Sequence, residues 1–119
     1  MEKRKWKKSP EPLVEAFFEV MNEFPDIELR KMFGYPCAFL NGNMCVGLHE
    51  DNMAVRISAA FRDEALQKKI GFIFAPMNGR VMKEYIALAP EILADRSKLR
   101  AIISTSLEYV KTLPKKTPK

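Results

Sequence analysis

The stretch from Ile27 to Ile57, IELRKMFGYPCAFLNGNMCVGLHEDNMAVRI, decides the fold. Its apolar residues recur at every second position, the spacing of a strand whose side chains alternate between two faces. Ile27 and Leu29 alternate with Glu28 and Arg30, and Gly34-Tyr35-Pro36 then breaks the run. Cys37 to Leu40, Met44 to His49 and Met53 to Ile57 follow, separated by Asn41-Gly42-Asn43 and Glu50-Asp51-Asn52. Asn, Gly and Asp suit tight hairpins because they tolerate positive φ. The segment therefore reads as an antiparallel meander. Strict alternation sends Met44, Val46, Leu48, Met53, Val55 and Ile57 to one face and Cys45, Gly47, His49, Ala54 and Arg56 to the other. The first face is suited to burial under helices.

Upstream, Ser9-Pro10 reads as an N-cap followed by a first helical residue that has no N–H to leave unpaired. Leu13, Phe17, Met21 and Phe24 then recur at helical spacing, with Glu11, Glu15, Glu19 and Glu23 on the opposite side, up to Pro25. Downstream, Ser58 caps a helix expected over 59–69, closed by Gly71. Phe72-Ile73-Phe74 and Met82 to Leu88 read as two more strands around a Met77–Arg80 loop. Pro90 and Asp95 introduce a last helix, whose stripe of Leu99, Ile102, Ile103, Ser106, Leu107, Val110 and Leu113 ends at Pro114. The order α-β(3-4)-α-β(2)-α predicts an α+β fold, an antiparallel sheet of about five to six strands with three helices packed on one face.

At 119 residues, 47% apolar and 29% charged, the chain is sized and composed for one globular domain. No apolar run approaches a membrane span, and the charged start has no apolar segment behind it, so the expectation is a cytoplasmic protein with no membrane contact. The expected organisation is a basic tail at 1–9, one domain at 10–113 and a second basic tail at 114–119. Of the net charge of +5, residues 1–8 carry +4 and residues 111–119 another +4, which leaves −3 on residues 9–110. Affinity for a nucleic-acid backbone grows with the cations delivered to it, so such binding is expected only through the tails: Lys3, Arg4, Lys5, Lys7 and Lys8, with Trp6 able to stack on a base.

The chemistry-bearing residues are few. Two cysteines, Cys37 and Cys45, and one histidine, His49, fall short of the four ligands of a structural zinc site. Cys37 and His49 lie on neighbouring strands, but no orienting third group, nucleophile elbow or phosphate-binding glycine loop accompanies them. No catalytic residue, cofactor or metal is therefore expected. The remaining candidate is cationic and aromatic: Arg30, Lys31, Tyr35, Arg56, Arg80, Lys83 and Tyr85 all lie on strands or their ends. Together on one face they would form a patch for an anion or a partner; ion pairing with Glu28, Glu84 and Asp51 is the ordinary alternative.

Arg30-Lys31-Met32-Phe33-Gly34, then Phe39-Leu40-Asn41-Gly42-Asn43-Met44 and Val46-Gly47-Leu48, resemble the N-terminal domain family of the competence regulator TfoX, also called Sxy. The run from Phe74 to Ile86, FAPMNGRVMKEYI, resembles that family's second signature, and Leu93-Ala94-Asp95 opens the final helix as the family does. The resemblance spans residues 10–114. It implies a secretion-chaperone-like α+β domain in a bacterial cytoplasmic protein. The chain departs from the family with Gly34-Tyr35-Pro36 in place of a double glycine, and with Cys45 where an aromatic is common. Full-length competence regulators carry a second, C-terminal domain, so a stand-alone domain is expected. The expected function is a non-enzymatic regulatory or protein-interaction module, with self-association into a homodimer as one form of partner. The rivals are nucleic-acid association through the tails, and a small-anion binder or enzyme using the cationic sheet face.

Overall fold

The computed structural model describes residues 8–75 and 81–115. Helix α1 (Glu11–Met21) leads into four consecutive strands, β1 (Glu28–Met32), β2 (Tyr35–Leu40), β3 (Asn43–His49) and β4 (Asn52–Arg56). Helix α2 (Ala59–Gln67), strands β5 (Gly71–Ile73) and β6 (Tyr85–Leu88), and helices α3 (Pro90–Leu93) and α4 (Arg96–Lys111) complete the order. The six strands form one sheet in the order β1-β2-β3-β4-β6-β5, antiparallel throughout. The α+β class and sheet type agree with the sequence expectation. The short helix α3 is an addition: Pro90 starts it, and Asp95 then caps α4 separately, accepting from the Ser97 and Lys98 N–H groups.

Local chemistry explains the boundaries. Ser58 accepts from the Phe61 N–H at 3.2 Å and opens α2. α1 is capped by Pro10, whose carbonyl accepts from Leu13 and Val14, and no side chain caps it, so Ser9 does not take the role its position predicts. Gly71 does not close α2 either. Lys69 adopts the left-handed turn at φ 58°, while Gly71 opens β5 opposite Leu88. A Cβ on Gly71 would stand 2.8 Å from the Ala87 carbonyl oxygen, so glycine is required there by the closeness of the neighbouring strand.

The main core lies between the sheet and the helices. Phe17 and Val20 of α1, Val46, Met53 and Val55 of the sheet, and Leu99, Ile103 and Val110 of α4 are all buried in it. Glu19 and Glu23 on the outer side of α1 pair with Arg96 and Arg100 of α4, tying the two helices across the surface. Asn43 reaches from the β2–β3 turn to donate to the Pro114 carbonyl at 3.0 Å.

One irregularity reassigns side chains between the faces. The β2–β3 hairpin starts with Leu40 opposite Asn43 and Phe39 opposite Met44, as a two-residue Asn41-Gly42 turn requires. The register then shifts between Ala38 and Phe39, so that Ala38 faces Val46 and Cys37 faces Gly47. Cys45 is the extra residue of a β-bulge. The strict alternation read from the sequence is corrected here: Cys45 joins the helix-side core, and Met44 packs on the other side with Ala54, Phe74, Tyr85 and Ala87.

Candidate functional site

The face of the sheet away from the helices has a floor of small residues. Cys37, Gly47, Ala54 and Ala87 stand in one row across β2, β3, β4 and β6 by successive pairings. Phe74 and Met82, held together by the Met82 N–H donating to the Phe74 carbonyl at 2.8 Å, stand over this row with Met44. They leave an apolar cleft of about 140 Å³, walled by Met32, Phe33, Tyr35, Met44, His49 and Met82. Gly47 keeps the floor open, since a Cβ there would lie 3.1 Å from the Cys37 sulfur.

Cys37 stands in the cleft as a neutral thiol. The Cys37 thiol donates to the Tyr35 carbonyl at 3.7 Å, and burial pushes its pKa up. A nucleophilic cysteine needs the opposite shift. The His49 ring stands between Tyr35, at 5.3 Å between centroids, and Phe74, at 6.0 Å. Cys45, on the helix side, donates to the Ala38 carbonyl and is pushed up to about 12 by burial. Tyr85 donates to the Met44 carbonyl at 3.2 Å; its phenol is likewise pushed up to about 12 by burial, against the lowering effect of Arg56. Among the described residues no group of three or more His, Cys, Asp or Glu could hold a metal ion.

Of the seven cationic and aromatic candidates, the six that are described do not gather in one place. Arg30 pairs with Glu28 through two contacts of 3.1 Å and lies 4.8 Å from the centre of the Phe39 ring. Arg56, three strands away or ~14 Å at ordinary strand spacing, pairs with Glu84 at 2.8 Å and lies over Tyr85. Tyr109 of α4 also donates to Glu84, at 3.3 Å. Lys83 borders a surface hollow with Arg56 and Tyr85. Tyr35 is buried beside the cleft, and Lys31 faces a separate cavity at the start of α1. Arg80 lies outside the described residues, as do Lys3, Arg4, Lys5, Trp6 and Lys7 of the N-terminal tail, whereas Lys8 is described and exposed.

The sequence pattern did not single out the apolar margin of the sheet. Of the seven large apolar side chains exposed among the described residues, Leu29, Met32 and Phe33 belong to β1 and its turn, and Phe72 and Ile73 to β5. β1 and β5 are the two outermost strands, the positions that monomeric proteins ordinarily protect with charge. Phe33 stands furthest out, 72% exposed at φ 54°, in a Phe33-Gly34 turn with the same positive-φ pair as Asn41-Gly42. The signal was present in the sequence, since Phe is a poor choice for a left-handed turn position that Asn fills next door.

Fold and faces together define a small α+β domain whose single antiparallel sheet is covered by helices on one side and carries a narrow apolar cleft on the other. A family model described as the TfoX N-terminal domain matches residues 19–110, and the chain belongs to that family. Among curated proteins the chain finds no match. No helix among the described residues is long and apolar enough to cross a membrane.

Proposed function

We propose that this domain is a non-enzymatic interaction module of regulatory type, and that it contacts another protein through the β1–β2 turn and the margin of β1. The observation that carries the reading is Phe33. It is a large apolar side chain in a left-handed conformation, mostly in water, at a turn where the chain itself uses Asn in the equivalent place. A large apolar side chain held at positive φ is local strain, and such strain gathers at functional positions. The reading is supported further by the neutral state of the Cys37 thiol, which offers no activated nucleophile, and by the ion pairs that occupy Arg30 and Arg56.

The test is affinity capture from the source cells with the intact chain and with Phe33→Asn, each checked for folding by circular dichroism. A protein retained by the intact chain and lost with the folded variant upholds the reading. Identical sets of captured proteins overturn it. Light scattering on the purified chain separates a second copy from a different protein as the partner.

A further inference from the structure

We infer that the cavity between the start of α1 and the β1–β2 hairpin binds a small amphipathic anion, a carboxylate carried on an aliphatic or aromatic body. The cavity measures about 610 Å³, within the range of ordinary ligand pockets. Its walls come from three places in the chain: Val14 and Phe18 of α1, Phe33 and Gly34 of the turn, and Tyr35 and Pro36 of β2. These provide an apolar bed with three aromatic rings, those of Phe18, Phe33 and Tyr35. Among the described residues, polar side chains come from Lys8, Ser9 and Lys31, and Tyr35 adds its phenol.

The two lysines at this cavity belong to the cations without an ion pair among the described residues. Arg30, Arg56, Lys68, Arg96 and Arg100 each have a carboxylate within ion-pair distance. Among the described residues Lys8 and Lys31 form no ion pair, and no Asp or Glu lines the cavity. Ser9, in the same wall, carries a hydroxyl with no hydrogen-bond partner among the described residues. Two uncompensated cations and a hydroxyl donor beside an apolar hollow match a ligand with one anionic end and one greasy end. A dianionic phosphate without an apolar body would leave the walls unused, and a neutral lipid would leave the cations unused.

The probe is decanoate, titrated calorimetrically into the full chain at low and moderate salt, with decanol and acetate as partial ligands. The expected result is saturable binding at one site, at least 5-fold tighter for decanoate than for decanol or acetate, with amide shifts confined to Val14, Phe18 and the Phe33 turn. The double variant Lys8→Gln, Lys31→Gln is expected to weaken decanoate at least 5-fold and leave decanol unchanged. Both lysines are exposed, so folding is not at stake. A short peptide ending in a free apolar carboxylate distinguishes a chain terminus from a free acid: tighter binding of either one assigns the source and upholds the site. Absence of saturable decanoate binding, equal binding of decanol, or full affinity in the double variant overturns the inference. Because the lysine variants leave Phe33 in place, this result is independent of the partner-capture test.

Discussion

Replacing Phe33 by Asn is expected to stabilise the fold while removing its contact function. A left-handed backbone costs an ordinary side chain roughly 1–2 kcal/mol, most of which Asn avoids. The loss on the other side is burial. A fully buried Phe contributes about 1.5–3 kcal/mol, but Phe33 is 72% exposed, which leaves roughly a quarter of that, about 0.4–0.8 kcal/mol. The difference favours Asn by roughly 0.5–1 kcal/mol, equivalent to a rise in Tm of about 2–6 °C for a domain of this size. Differential scanning calorimetry of the two proteins at equal concentration measures it. A variant that melts lower than the parent would show that Phe33 holds the hairpin in place, and the reason for assigning it to a partner would be gone.

Three further outcomes follow from the same geometry. Cys45→Asp places a carboxylate in the helix-side core and is expected to cost about 3–5 kcal/mol, whereas Met44→Asp, on the half-buried cleft side, is expected to cost under about 2 kcal/mol; chemical denaturation giving the reverse order would contradict the bulge. Gly71→Ala must push against the Ala87 carbonyl and the Ile86 side chain, with an expected loss of about 1–3 kcal/mol, and an unchanged Tm would show that β5 does not approach β6 as described. Cys45 and Tyr85 are raised to about 12 from ordinary values of 9.0 and 10.0, so between these limits the folded state keeps protons that the unfolded chain has released. Stability is then full below pH 9 and declines as pH rises, by about 1.4 kcal/mol per pH unit for each such group; Cys37, shifted the same way, steepens the decline. Denaturation midpoints at pH 8, 9, 10 and 11 check the sign, and a flat profile would refute it.

Much of the architecture is legible in the residues because each element carries its own signal. Ser58 and Asp95 are helix caps in the structure as their chemistry suggests, and the Asn41-Gly42-Asn43 stretch read as a turn narrows to Asn41-Gly42, with Asn43 already paired in β3. The bulge is not legible, for a physical reason: Met44, Cys45 and Val46 are all apolar, so the pattern is compatible with either register, and only the pairing across the strand selects one. Gly71 reads as the close of α2, but the left-handed Lys69 makes that turn and Gly71 opens β5. The candidate site was less legible than the fold. Arg30 and Arg56 were visible as cations, but whether they stand free depends on Glu28 and Glu84, and the second of these lies 28 residues from its partner. The cavity beside Lys31 is assembled from α1 and the β1–β2 hairpin, and no local pattern announces it.

The central claim is that another protein is met at the β1–β2 turn and the margin of β1. Amide hydrogen exchange on the domain with and without a purified captured partner tests it most directly. Slower exchange over Glu28–Tyr35 in the complex, with the outer surfaces of α2 and α4 unchanged, is the predicted result. Protection confined to those helices, with β1 and its turn exchanging as in the free domain, would contradict it.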